Sequence, residues 1–272
     1  MTPLSGGTVV VTGAGSGIGR ATALLVARAG ATVYPLDLDS HALARVTSEI
    51  TEAGGIANPK VVDVGDADEM TTIADEIFDA EGRVDVLVNN AGIAASGPTE
   101  DAGLDLWRRI INVNLMGVVH GVHAYGPRML YQARGGHIIN TASAAGLIPV
   151  PGLVPYATSK HAIVGLTESL HAEWSPRGVA VSAVCPGIVD TAIARGELAG
   201  SGADKERLAR IYQRVGISAD QVAEVITRMI RDRGPMIRVV PRTQVLPIWL
   251  ARRFAPTLAQ PLGRLSAKLW DV

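Results

Sequence analysis

Tyr156 and Lys160 stand four residues apart in a helical pattern, which puts both side chains on one helix face. A free phenol ionises near a pKa of about 10, too high for a base at neutral pH, and an adjacent ammonium favours the phenolate. Such a pair can take a proton from an alcohol or return one to a carbonyl. Alone, Tyr-x-x-x-Lys describes two ordinary surface residues. Ser143, upstream and just past an apolar strand pattern, changes its meaning, because a hydroxyl there can hold the substrate oxygen and steady developing charge.

A second constellation lies near the N-terminus. The strand pattern Thr8-Val-Val-Val-Thr12 runs into Thr12-Gly-Ala-Gly-Ser-Gly-Ile-Gly19, which opens a helix. Glycines let the backbone turn tightly and approach a pyrophosphate, and the free N–H groups of a helix start hold phosphates. Asp37 ends the next strand. A carboxylate there accepts hydrogen bonds from ribose hydroxyls and repels a 2′-phosphate, which favours NAD over NADP. Leu38 follows it, not an arginine that would welcome the phosphate. The plain alternative is a tight loop and a solvated strand end; the agreement of strand, turn, helix and acid argues against it.

These residues need a scaffold, and the hydrophobic pattern predicts one. Strands are expected at Thr8–Thr12, Ala31–Leu36, near Asn58–Val62, and at Asp85–Asn89, His137–Asn140, Val179–Val184 and Met236–Val240. Helices are expected over Ile18–Ala29, from Ser40 as its cap to Ala53, and over Asp66–Glu81, Leu104–Ala133 and Pro155–Trp174, with a last one from Ser218 to Arg231. The alternation implies an α/β fold: a doubly wound, mostly parallel, seven-stranded sheet of the Rossmann type with helices on both faces. Residues 1–240 are expected to form one NAD-binding catalytic domain. Residues 241–272 are read as a basic, apolar extension packed on that domain or on a neighbouring subunit.

Composition narrows the function. With 272 residues, 47% hydrophobic and 19% charged, the chain can bury a sizeable core and is not a disordered segment. Lys+Arg 25 against Asp+Glu 26 leaves no global basic field, so no nucleic-acid partner is expected. The one cysteine, Cys185, excludes an intramolecular disulfide and any thiolate metal cluster, and it suits a reducing cytosol. The first residues lack a positive, apolar leader, and no run of 18 apolar residues occurs, so a cytoplasmic location is expected. His120 and His123 could mimic a metal pair, but no carboxylate or cysteine joins them at ligand spacing, and no metal is expected.

The turn Thr12–Gly19, Asn89-Asn-Ala-Gly92, Asn114 within Asn112-Val-Asn-Leu, Ser143, Tyr156-Ala-Thr-Ser-Lys160 and Pro186-Gly187 together resemble the short-chain dehydrogenase/reductase family. The resemblance spans about Leu4 to Val240, with the motifs in family order and spacing. It implies Tyr156 as the acid/base, Lys160 lowering its pKa and binding the nicotinamide ribose, and Ser143 holding the reacting oxygen. Asn114 would anchor a water that links Lys160 to solvent. Gly13, Ser16, Gly17, Ile18 and Gly19 would meet the pyrophosphate, and Asp37 the adenosine ribose. Asp63 and Val64 would flank the adenine, with Asn90 and the Ala91 backbone on the adenosine side. Val189 and Thr191 would grip the carboxamide.

The expected reaction is hydride transfer between a secondary alcohol or ketone and NAD. The resemblance also places Ala94, Ser96, Leu147, Val150, Pro151 and Val154 in segments that flank the catalytic groups and a lid from about Ala192 to Gly216, and these walls are mainly apolar. A sterol-, terpenoid- or lipid-like substrate is therefore expected. An NADP-dependent carbonyl reductase and a catalytically silent NAD-binding sensor or scaffold are the alternatives. The resemblance also implies a homo-oligomer, dimer or tetramer, built through the two long helices, with Gly117, Gly121, Ala162 and Leu166 allowing close packing. From Arg228 to Val272 there are nine Lys/Arg against two Asp/Glu. Leu258, Leu262, Leu265 and Leu269 recur there at helical spacing near Trp249, Trp270, Arg252 and Arg253, with Pro247, Pro256 and Pro261 expected to break the segment into short helices. Such a tail packs on protein or lies on an anionic membrane surface.

Overall fold

Alternate residues of the first strand, β1 (Thr8–Thr12), feed two different cores. Val9 and Val11 point to one face of the sheet and Val10 to the other, as the two-residue period of a strand requires. The structure, a computed structural model, describes residues 4–189 and 216–254.

The remaining strands are β2 (Thr32–Asp37), β3 (Ile56–Ala57), β4 (Lys60–Val61), β5 (Val86–Asn89), β6 (Gly136–Thr141), β7 (Val179–Pro186) and β8 (Ile237–Val240). They form one parallel sheet in the order β3-β2-β1-β5-β6-β7-β8, with β4 also paired to β2. Helices are α1 (Gly17–Arg28), α2 (Ser40–Glu52), α3 (Ala67–Glu81), α4 (Leu104–Ile111), α5 (Gly117–Tyr131), α6 (Val154–Trp174), α7 (Ala219–Asp232) and α8 (Arg242–Phe254). Val26 of α1, Val46 and Ile50 of α2 and Ile226 and Ile230 of α7 pack beneath one face. Ile77 of α3, Tyr125 and Met129 of α5 and Ile163 of α6 pack on the other. The expected doubly wound α/β fold is what forms.

Several local expectations are corrected. The single strand near Asn58–Val62 is two short pairings, because Pro59 has no N–H to give the ladder. The cap of α2 is Asp39, whose carboxylate accepts from the N–H groups of His41 and Ala42, and Ser40 is the first helical residue. Leu104–Ala133 is not one regular helix, since a π-helical turn, Asn112–Met116, separates α4 from α5. Gly117 and Gly121 face inward, where a Cβ would collide with the side chains of Val64 and Asn89. Their smallness lets α5 pack closely on the loop after β4 and on β5. Pro247 lies within α8 without breaking it; buried Val245 and the half-buried Trp249 dock that helix on the core.

Candidate functional site

The turn between β1 and α1 sits where strand order reverses, the crevice at which open α/β sheets bind ligands. Gly13 adopts φ +64°, and a Cβ there would lie 2.7 Å from the Ala91 Cα. At Gly19 a Cβ would run into the Gly13 carbonyl. The turn is pinned to the end of β5 by Thr12, whose Oγ1 accepts from the backbone N–H groups of Asn90 (2.9 Å) and Ala91 (3.0 Å). The Asn90 side chain donates back to the Thr12 carbonyl at 3.1 Å and the Gly13 carbonyl at 3.3 Å. Asn90 thus braces the turn.

Ser16 is the extended N-cap of α1, and its side chain makes no capping bond, so the first N–H groups of Gly17, Ile18 and Gly19 keep the donors an anion needs. Asp37 reaches the same turn from β2. Its Oδ2 accepts from the Gly15 N–H at 2.8 Å, and its Oδ1 from the Asp39 N–H at 3.0 Å. A closed glycine cradle, an uncapped helix start and a carboxylate beside both fit a dinucleotide. Asp63 and Val64 follow β4: Asp63 Oδ1 accepts from Gly65 N–H at 2.8 Å, and the Val64 carbonyl lies 2.8 Å from His120 Nδ1. His120 therefore serves this loop, and no group of three or more metal-ligating side chains occurs among the described residues.

Across the crevice, β6 ends at Thr141, whose carbonyl accepts from Lys160 Nζ at 2.9 Å. Lys160 is 4% exposed, and burial pushes its ammonium down to about 8. Nζ lies 5.6 Å from the centre of the Tyr156 ring, so the cation sits against the phenol. Tyr156 packs with Ala94, Val150 and Leu153, three apolar residues. Ser143 follows β6, nearly buried, and its Oγ accepts from the Ala145 N–H at 3.1 Å.

Asn114 sits in the π-helical turn and is fully buried. Its Oδ1 accepts from Ile93 N–H (2.8 Å), and its Nδ2 donates to the Ile93 carbonyl (2.9 Å) and to Ser159 Oγ (3.0 Å). Ser159 Oγ donates in turn to the Tyr156 carbonyl at 2.7 Å. Val189 is bridged to Ile217. Thr191, the lid from Ala192 to Lys205 and on through residue 215, and the tail leucines from Leu258 lie outside the described residues. Cys185 is buried in β7, and burial holds its thiol up at about 12, the state of an inert packing residue.

Thr12, Thr141 and Ser159 were not singled out from the sequence. Thr12 and Ser159 stand inside the quoted motifs, and Ser159 is one helical turn from Tyr156, so spacing could have found it. Thr141 acts through its carbonyl, which has no sequence signature.

The strand order, the glycine cradle at its reversal point and the tyrosine–lysine pair opposite define a doubly wound α/β domain built around a dinucleotide-type turn. The sequence model of the short chain dehydrogenase family matches residues 7–201. Over 246 residues the chain is 37% identical to a probable oxidoreductase, EphD, of Mycobacterium tuberculosis, covering 88% of this chain and only 42% of that relative. It is 37% identical over 219 residues to a 1-deoxy-11-beta-hydroxypentalenate dehydrogenase of Streptomyces exfoliatus, covering 80% of this chain and 77% of that one. A short-chain dehydrogenase/reductase from Burkholderia phymatum, solved in complex with NAD, superposes with a TM-score of 0.87 at 33% identity, over 95% of this chain and 96% of that one. The chain belongs to the short-chain dehydrogenase/reductase family, whose members are oxidoreductases using a nicotinamide cofactor.

Proposed function

We propose that the protein is an NAD-dependent oxidoreductase that transfers hydride between the nicotinamide and an apolar secondary alcohol or ketone. The observation that carries this reading is the buried Lys160 ammonium against the Tyr156 ring, with no carboxylate paired to it among the described residues. Burying an unpaired cation is unfavourable, and a fold that keeps one there gains a field that lowers the phenol's pKa.

Gly13, Ser16, Gly17, Ile18 and Gly19 would hold the cofactor's pyrophosphate, Asp37 its adenosine ribose, and Asp63, Val64, Asn90 and Ala91 the wall beside its adenine end. Val189 and Thr191 would meet the carboxamide. When bound, the cofactor supplies the hydride donor or acceptor. Tyr156 takes the alcohol proton in oxidation and returns it in reduction. Lys160 stabilises the phenolate, and Ser143, whose oxygen accepts from Ala145, donates its own hydrogen to the reacting oxygen. Asn114 spends both amide hydrogens on Ile93 and Ser159. Any water it holds for a proton relay must therefore be bound through a carbonyl oxygen.

Ala94, Val150 and Leu153 around Tyr156 support an apolar substrate, and a relative named for a hydroxypentalenate supports a hydroxyl as the reacting group. We further propose a cytoplasmic homo-oligomer with residues 241–272 as an extension of the catalytic domain; no helix among the described residues is long and apolar enough to cross a membrane.

Titration with NADH and NADPH, for the wild type and Asp37→Ala, tests the cofactor. Preference for NADH that is lost in the variant supports the assignment; equal or reversed preference in the wild type turns the reading to an NADP-dependent reductase. Tight binding without turnover on a broad alcohol and ketone panel would leave a silent binding protein.

A further inference from the structure

Arg252 lies on α8, far outside the residues matched by the family, yet it touches both arms of the site. Its Nη1 donates to the Leu147 carbonyl at 2.8 Å and lies 3.3 Å from His161 Nε2. Leu147 closes the short 3-10 turn Ala144–Gly146 that begins at Ser143. His161 follows Lys160 on α6, and its Nδ1 is 2.9 Å from the Ala157 carbonyl.

Chemistry fixes the ring's protonation. The Ala157 carbonyl can only accept and the guanidinium can only donate, so both contacts are met by the neutral tautomer with hydrogen on Nδ1 and a lone pair on Nε2. A single Arg252 nitrogen carries two hydrogens, enough for the Leu147 carbonyl and His161 together. Arg252 lines a groove of about 230 Å³ with Leu147, His161, Val164, Glu168 and Trp249.

We propose that Arg252 is a positioning residue that holds the turn carrying Ser143 in register with the helix carrying Tyr156 and Lys160. The turn has little other slack to absorb error, since a Cβ on Gly146 would come within 2.6 Å of the Lys160 carbonyl. Turn and helix thus lie in direct contact and are also bridged by one cation. Tertiary contacts of this kind matter because a displacement of about 1 Å at a reacting group can lower a rate about 100-fold. The kinetic part of this inference rests on the function proposed above.

Arg252→Met is expected to lower kcat about tenfold, with the Kd for NADH within twofold of the wild type. Arg252→Lys, which keeps one donor, should recover part of that loss. In a Ser143→Ala background Arg252→Met should reduce kcat by less than twofold, because the residue acts through Ser143; losses that multiply fully would overturn the proposal. Hydrogen exchange supplies a readout independent of turnover: amides of residues 144–148 should exchange at least fivefold faster in Arg252→Met, with β1 and α1 unchanged. Unaltered exchange there overturns the positioning role, whereas a wild type without turnover overturns the proposed function and leaves exchange to decide. Should Arg252→Met not fold, His161→Phe removes the Nε2 acceptor and is read the same way.

Discussion

Asn114 pairs with the Ile93 peptide as a neighbouring strand would, accepting its N–H at 2.8 Å and donating to its carbonyl at 2.9 Å. The second amide hydrogen goes to Ser159, so one side chain joins the loop after β5, the π-helical turn and the helix bearing Tyr156 and Lys160. π-Turns recur at functional sites because they re-aim a side chain out of helical register.

Removing that amide leaves buried polar groups without partners, each worth about 1–3 kcal/mol. Asn114→Ala is expected to lower stability by about 2–4 kcal/mol in urea unfolding. Asn114→Asp should also lose stability, because a carboxylate cannot donate to Ile93 or Ser159. A stability unchanged in both would mean that the loop does not depend on this contact.

Tyr156→Phe removes the proposed acid/base and keeps the ring that packs with Ala94, Val150 and Leu153. Turnover should fall by about 10²–10⁴, the usual contribution of a positioned proton donor. NADH affinity should stay close to the wild type in fluorescence titration. Retained turnover would require another acid/base.

Lys160→Met should trade activity for stability. The ammonium pKa falls from 10.5 to about 8 on folding. Between those values the unfolded chain binds the proton and the folded chain does not, so stability rises with pH through that window and the deficit is full below about 8. The full deficit is on the order of 3 kcal/mol, partly offset by the bond to Thr141. The variant is expected to be more stable than the wild type by about 1–2 kcal/mol at pH 7, with the gap closing toward pH 10. Parallel stability curves across that range would contradict it.

His137, buried at the start of β6 with Nε2 3.0 Å from Ser182 Oγ, governs acid stability. Burial, with Arg233 and His171 adding positive charge nearby, pushes its imidazole down to about 3 from 6.5. Its stabilising contribution is complete above pH 6.5, is lost progressively as pH falls from there, and is gone below about 3. Between pH 6 and 4 the wild type should lose about 1.4 kcal/mol per pH unit from this group alone. His137→Gln should remove about one proton's worth of that slope in urea titrations across the same range.

The alternating strands, the glycine turn, Asp37 and the tyrosine–lysine spacing were all legible in the sequence, because each follows from a local rule. A two-residue period decides which core Val9 and Val10 enter, a left-handed φ demands Gly13, and a four-residue step puts Tyr156 and Lys160 on one face. Tertiary structure decided what depends on distant partners. The π-helical turn forms where Asn114 finds Ile93 and Ser159. Gly117 and Gly121 turn inward because the loop after β4 and the strand β5 lie against them. Helix α8 runs through Pro247, where Val245 and Trp249 have core to bury. Arg252 reaches Leu147 across more than a hundred residues of chain. Hydrogen bonds and close packing between segments remote in sequence leave no periodic trace, so only the folded chain reveals them.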